Sequence, residues 1–541
     1  MQLFRRASSS AGASAAQSTP LSAATARRAL LLRRSARALG VVGTTAALAV
    51  ALDESNSRVG SRSLRVVRAG VETLVDYHRH LKGLDRELSP EYKDRLREFN
   101  ARTADRLFAL CFHNGGIYTK LGQQIATFNH ALPREFTDKM AGLQDRAKPV
   151  SFEAAMTTVE SELQRPWQKV FPTIDRAPLA AASLAQVHEA VDCYGRRVAV
   201  KVQYPHLQAQ MKTDLAVIRL AFRAIEYFFP NVQIEWIYPE FESALRSEVS
   251  VSTNNRRIAA LLRHNESVHV PEVYDELSSE KLLTMEFIDA PKISDVAAIE
   301  AQGLDPREVA RVLCEAFGEM VFCHGFVHCD PHPGNIFVRR HPDPQATRKT
   351  QLVLLDHGLY RELDDGFRRT YCDLWRAMLV RDYALVEDCG RRLNAGEFAA
   401  FLPLLFTYRP MRSHSPLAKS LNEDERQALI QDLKQLQFSD VTDFLQQLPR
   451  DMLFVFRTNN MIRSLNKDLG GSTRDRFATM GKYAVAGHAL DHSSAASVSL
   501  RSRVRYWWEH LSLVFHLHVV DWALGAMQLA RGETVKTHRS G

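Results

Sequence analysis

Eight residues constrain this chain more than any others: His328-Cys329-Asp330-Pro331-His332-Pro333-Gly334-Asn335. Pro331 and Pro333 forbid a helix through them, so the polar side chains must sit on a loop held from both sides. Downstream, residues 336–338 and 351–355 are short apolar runs joined by a polar loop, residues 341–350, and this pattern predicts a hairpin. Such a hairpin would return Leu355-Asp356-His357-Gly358 to the loop it left. Asp330 can then orient or deprotonate a hydroxyl or a water, while the oxygens of Asn335 and Asp356 can hold a hard divalent cation. A zinc reading would instead use Cys323, His324, His328, Cys329 and His332. Histidines at i, i+4 and i+8 share a face only on a helix, which the prolines deny.

Two upstream features extend the pattern. Arg197-Val198-Ala199-Val200-Lys201 alternates like a strand and ends in lysine, which taken alone is usually just a solvated strand end. Before it runs Ala180-Ala181-Ala182-Ser183-Leu184-Ala185-Gln186-Val187. Successive backbone N–H groups there can cradle phosphate, although each alanine Cβ penalises positive φ and stiffens the loop. A helical turn of good formers fits the same residues. Taken in order, the small-residue turn, strand lysine, H-x-D-x-x-x-x-N loop and Asp-His-Gly turn resemble the protein kinases, with His357 in the aromatic's place. That resemblance implies ATP or ADP with Mg²⁺, Lys201 on the phosphates, Asp330 as catalytic base, and Asn335 and Asp356 as metal ligands. It implies nucleotide contacts from Ala180, Ala181, Ala182, Ser183, Ala185 and Val187, and from Met285 on the strand predicted over 281–288.

The rest of the chain frames this site. With 541 residues, 45% hydrophobic and 24% charged, it can bury enough core for two to four domains, and collagen-like, disulfide-stapled and disordered classes are excluded. The net charge of +8 invites a nucleic-acid partner until it is located: residues 1–52 hold seven arginines and no acid, leaving +1 for the remainder. No nucleic-acid footprint is therefore expected. Residues 1–52, rich in Arg, Ser and Ala, read as a mitochondrial presequence. Its uncharged stretch, 38–52, is shorter than the ~20 residues that span a bilayer, and the leader before it is too long for a secretory signal. The seven cysteines form no CxxC pair and suggest no disulfide framework. Helical patterns run from Ser89-Pro90-Glu91 to about 112 and over 117–129, broken by Gly115-Gly116. Short strands begin near Phe171, and helices dominate beyond 300. The expected architecture is α+β and two-lobed: presequence 1–52, linker and helical extension 53–150, N-lobe 151–290, and a helical C-lobe 291–541.

Within the extension, Lys120-Leu121-Gly122-Gln123 has no protein-kinase counterpart. Together with the alanine-rich loop and the H-x-D-P-H-P-G-N block, it closely resembles the UbiB-like (aarF-domain) atypical kinases, and the Asp-His-Gly turn resembles their mitochondrial branch. The resemblance spans about 99–490, including Leu448-Pro449-Arg450. It implies a protein-kinase-like fold whose K-x-G-Q helix packs over the active site and aims Lys120 at the nucleotide. It also implies work at the mitochondrial inner membrane in lipid or coenzyme Q homeostasis, with a small-molecule or lipid substrate or with membrane proteins as partners. One departure stands out. The family carries E-x-D and a second glutamate opposite the lysine strand, whereas this chain has Glu248, Ser250 and Asn254. Glu248 would then serve Lys201 or Lys120 alone, unless Glu242 or another acid substitutes, and residues 249–255 are a run of poor helix formers. Three functions follow as expectations. One is an ATP-dependent kinase or ATPase. The second is a nucleotide-binding pseudokinase acting as scaffold or switch. The third, an aminoglycoside- or choline-kinase-like enzyme, lacks K-x-G-Q. At the C-terminus, residues 511–530, preceded by Trp507 and Trp508, read as an amphipathic helix closing the C-lobe, with peripheral lipid contact as the alternative.

Overall fold

A computed structural model of the chain describes residues 59–82, 90–126, 132–143, 149–205, 207–229, 234–235, 237–247, 251–396, 399, 402–407 and 449–489, with 507, 508, 511, 512 and 515. The predicted presequence, Glu248 and Ser250 lie outside the described residues. Four helices come first: α1 (Val59–His80), α2 (Pro90–Asn114), α3 (Gly116–Ala126) and α4 (Arg134–Ala141). α2 and α3 part where Gly115 and Gly116 take φ of 63° and 53°, a conformation that favours glycine. Next come α5 (Phe152–Leu163) and the short α6 (Trp167–Val170). The Ser151 side chain caps α5 by accepting the Ala154 N–H at 3.3 Å.

The smaller lobe is an antiparallel sheet of β1 (Thr173–Ile174), β2 (Ala180–Ala181), β3 (Ala185–Val191), β4 (Arg197–Gln203) and a later strand at Leu282–Glu286. Helices α7 (Leu207–Phe228), α8 (Ile237–Ser247) and α9 (Val251–Leu261), then strand β5 (Val268–His269), intervene before that last strand, β6. The strand path is β1-β3-β4-β6, with β2 on β3. Period-two alternation decides what β4 presents. Val198, Val200 and Val202 are fully buried against Phe152, Ala155, Met156 and Val159 of α5. Lys201 therefore faces the opposite side of the sheet.

The larger lobe contains α10 (Val296–Ala301), α11 (Pro306–Gly318), β7 (Phe326–His328), β8 (Ile336–Arg340), β9 (Thr350–Leu354) and β10 (Tyr360–Glu362). It continues through α12 (Asp365–Val380), α13 (Tyr383–Arg392), α14 (Leu402–Thr407), α15 (Arg450–Asp468) and α16 (Thr473–Ala489). Asp305 caps α11 and Pro306 opens it, and a π-helical stretch, Glu319–His324, prolongs it to β7. β8 and β9 form the expected hairpin, with Ile336 opposite Leu354, and β5 pairs parallel to β9. A large core around Phe317, Phe322, Trp375, Phe406 and Phe477 also takes in Ile258, Leu262 and Val268 from α9 and its sequel.

A third core was not evident from sequence. Ile117, Tyr118, Leu121 and Ile125 of α3 pack with Ile218, Phe222, Ile237 and Phe241 of α7 and α8. At roughly 1.5–3 kcal/mol per fully buried large apolar side chain, this binds the N-terminal extension to two of the helices inserted between β4 and β6. A buried ion pair reinforces it: Arg62 of α1 donates to both carboxylate oxygens of Asp214 on α7, at 3.3 and 2.5 Å. Residues 251–261 also form a helix despite their poor helix formers. Asn255 donates to the Pro271 carbonyl at 3.1 Å and Ile258 is fully buried, so tertiary contacts outweigh propensity. Among the described residues, no helix is long and apolar enough to cross a membrane. Of residues 511–530, only Leu511, Ser512 and Phe515 are described, and Leu511 and Phe515 are exposed, as are Trp507 and Trp508.

Candidate functional site

Lys201 and Asp356 meet between the lobes. The β4 register sets Lys201 between Val187 of β3 and Leu283 of β6, and its Nζ lies 3.3 Å from both carboxylate oxygens of Asp356. Asp356 Oδ1 also accepts the Gly358 N–H at 3.0 Å, which needs the tight turn that Asp-His-Gly provides. Burial opposes ionisation of this carboxyl. The positive charges of Lys201, and then of Lys120, overcome that penalty and hold it well below the usual carboxylate range. The three groups thus converge on one electrostatic site.

His357 serves as the aromatic of its turn. It is buried and lies nearly parallel to the Tyr360 ring, with centroids 5.8 Å apart. Its Nε2–H donates to the Leu354 carbonyl and its Nδ1 accepts the Tyr360 hydroxyl, each at 3.0 Å. Burial, then the neighbouring His328, lowers its pKa to about 3, so the ring is neutral and adds no charge near the metal turn.

The catalytic loop is wired to this turn through its backbone. Leu355 N–H donates to the Asn335 carbonyl at 2.9 Å, which sets Asn335 beside Asp356. The Asn335 amide nitrogen donates to the Asp330 carbonyl at 3.1 Å, so the amide presents its oxygen elsewhere. Asp330 N–H donates to Nδ1 of the fully buried His328 at 3.1 Å, and His332 Nδ1 accepts the Gly334 N–H at 3.2 Å. The histidines of the motif therefore shape the loop. Among the described residues no group of three or more His, Cys, Asp or Glu is placed to hold a metal ion, and burial pushes the Cys329 thiol up to about 12. Asn335 and Asp356, linked through the Leu355 N–H, offer oxygen donors of the kind a hard cation such as Mg²⁺ takes.

The K-x-G-Q residues divide the labour of placing α3. A Cβ on Gly122 would collide with Leu143 Cδ1, so only glycine permits this approach. Gln123 donates to the Leu143 carbonyl at 3.0 Å and pins the helix to the end of α4. Lys120 of the same helix acts on Asp356 through its charge.

The alanine-rich segment is a hairpin tip, and the helical-turn alternative is excluded. Ala180 and Ala181 pair with Val187 and Gln186, and Ala182 N–H donates to the Ala185 carbonyl at 2.8 Å around Ser183 and Leu184. Tyr204 anchors the tip by donating to the Ala182 carbonyl at 2.9 Å. Met285 sits on β6 opposite Ala199 and is buried.

Two participants escaped sequence reasoning. The Asn254 amide on α9 donates to the His357 carbonyl at 3.0 Å, bracing the metal turn with a bond that no ionised acid could make. Arg457 on α15 donates from Nη2 to Asp330 Oδ1 at 3.0 Å. The sequence signal for Asn254 was its neutrality where an acid is expected. Arg457, 127 positions from its partner, gave none.

Comparison with known proteins identifies relatives of the chain. The ABC1 atypical kinase-like domain matches residues 142–389. A putative ABC1 protein of Arabidopsis thaliana is 35% identical over 485 residues, covering 85% of this chain and 89% of that one. AarF domain-containing protein kinase 1 of Mus musculus is 33% identical over 482 residues, covering 86% and 90%. A Mycobacterium tuberculosis protein solved in complex with erythromycin aligns at a TM-score of 0.45 and 19% identity, over 70% of this chain and 95% of that one.

Proposed function

Since the chain belongs to the UbiB-like ABC1 (AarF-domain) family of atypical kinases, we propose that it binds Mg-ATP in the cleft between its lobes and turns it over, as a kinase or an ATPase. One observation carries this reading: Lys201, Lys120 and the Asn335–Asp356 pair converge on one site that combines two cations with hard oxygen donors. Asn335 and Asp356 would hold Mg²⁺, which when bound would neutralise charge developing on the transferred group. Lys201 would leave its ion pair with Asp356 for the α and β phosphates. Asp330 would accept the proton of the attacking hydroxyl or water. Lys120, carried by α3 at the cleft mouth, would restrict the acceptor to something small or lipid-like. The neutral Ser250 and Asn254 favour a pseudokinase scaffold as the second reading. Against it, Asn254 has a structural task at the metal turn that a carboxylate would fail.

The setting is proposed on sequence grounds. The arginine-rich leader and the family resemblance support a mitochondrial location at the inner membrane, with a part in lipid or coenzyme Q homeostasis. Calorimetry of ADP binding to the full chain, with Mg²⁺ and with chelator, tests the site. Binding should need the divalent ion, vanish in Asp356→Asn, and weaken about tenfold or more in Lys201→Ala, the loss of one charge-assisted contact of ~1.5–3 kcal/mol. Binding indifferent to metal and to both substitutions would rule the site out. ATP turnover by the wild type that Asp356→Asn abolishes separates enzyme from scaffold.

A further inference from the structure

Phosphoryl transfer concentrates negative charge where the acceptor meets the phosphate, and a site needs fixed cations there. Between Asp330 and Asn335 this chain has Pro331, His332, Pro333 and Gly334, with no lysine or arginine. Lys201 lies against Asp356, on the metal side. On the Asp330 side a cation arrives from a distant helix. Arg457, on α15 and beyond the matched kinase-like domain, reaches in between Phe456 and Thr458 and donates to one oxygen of Asp330.

The pairing differs from the anchor that Arg62 makes with Asp214. Arg62 and Asp214 show what this fold does when it wants an anchor: a two-bond fork on both carboxylate oxygens. Arg457 makes a single bond, to Oδ1, although its side chain is only 11% exposed and that of Asp330 28%. Its Nε and Nη1 are buried without a hydrogen-bond partner. Among the described residues Arg457 is the one arginine with two such nitrogens, and beside the proposed base that asks for an explanation.

We propose that Arg457 is a positioning residue for the transfer step, an inference that rests on the Mg-ATP reading above. By holding Oδ1 it fixes the Asp330 carboxylate and turns Oδ2 to the acceptor. In the step it serves, the acceptor O–H proton passes to Asp330 Oδ2 and the acceptor oxygen bonds to the γ-phosphorus. The bond from that phosphorus to the β-bridging oxygen breaks, and ADP leaves with the electron pair. Arg457 supplies a positive charge that stays in place throughout.

Steady-state ATP turnover and Mg-ADP affinity of the full chain test this, using Arg457→Gln, Arg457→Lys, Asp330→Asn and the double variant Asp330→Asn/Arg457→Gln. Arg457→Gln should lower kcat about 10²-fold, the lower end of what a positioned base contributes, while Mg-ADP affinity stays within twofold. Arg457→Lys, which keeps the charge and stands in should the glutamine variant unfold, should recover part of the loss. The double variant should be no slower than Asp330→Asn, because Arg457 acts through Asp330. Turnover within twofold of wild type in Arg457→Gln would overturn the proposal. So would additive losses in the double variant, or a fall in nucleotide affinity that tracks the fall in kcat. If instead wild type and Asp356→Asn turn over alike, the Mg-ATP reading itself fails and takes the proposal with it, a result distinct from the others.

Discussion

Asn254 shows how one atom can reverse a reading. An acid at this position would attract a lysine, and its absence suggests an impaired site. In the fold the side chain faces the His357 carbonyl, where a donor is needed, and the amide supplies one at 3.0 Å. Asn254→Asp would lose that bond and set a carboxylate against a carbonyl beside Asp356. Net hydrogen bonds contribute about 0.5–1.5 kcal/mol, so calorimetry should show Mg-dependent ADP binding weakened about tenfold. Equal or tighter binding by Asn254→Asp would mean that the turn does not depend on the amide. His357 follows the same logic: burial keeps it neutral, and its two nitrogens are spent within the turn.

α3 is placed by contacts that can be changed singly. Gly122→Ala pushes a Cβ into Leu143. Overpacking of this kind costs about 1–3 kcal/mol, so the melting temperature should fall by several degrees and nucleotide affinity should drop as Lys120 shifts. An unchanged melting temperature would show that the helix moves aside freely. α1 and α2 are joined by Asp76, which accepts from Arg102 at 3.0 and 2.9 Å and also from Arg106. Burial opposes ionisation of Asp76, but hydrogen bonds from both arginines win and lower its pKa to about 2. A depressed carboxyl stabilises the fold above its unfolded pKa and stops doing so as pH falls through the folded one. Asp76 should therefore contribute about 2 kcal/mol above pH ~4, lost as pH falls through ~2. The stability gap between wild type and Asp76→Asn, followed by denaturant titration, should close over that window. A gap that stays constant from pH 7 to pH 2 would exclude this role.

Among the described residues three cores stand out, and the residues of the proposed cleft sit on elements from all three. The extension is sealed to α7 and α8 and the sheet to α5, while the larger lobe carries Asn335 and Asp356. At the far end, Trp507, Leu511 and Phe515 share a helical spacing and are 59%, 58% and 64% exposed. We propose peripheral lipid contact, the alternative reading of residues 511–530, on the strength of that exposure. Co-sedimentation of the full chain with anionic vesicles should fall severalfold in Trp507→Ala/Phe515→Ala. Undiminished sedimentation would place the membrane contact elsewhere.

What could be read from residues alone was local. The β8–β9 hairpin joins segments close in sequence, so alternation and turn residues were enough to predict that Asp356 returns to Asn335. Period two on β4 likewise set Lys201 apart from the buried valines, and paired glycines marked the break before K-x-G-Q. The partnerships that finish the site were hidden: Arg457 with Asp330, Asn254 with His357, and the extension with α7 and α8. Each joins segments distant in the chain, and the helix around Asn254 runs against its own propensities. Pattern and propensity report what a segment does with its neighbours in sequence. Which remote side chain completes a buried polar group depends on how the whole chain packs, because only burial makes an unmet hydrogen bond costly enough to choose the partner.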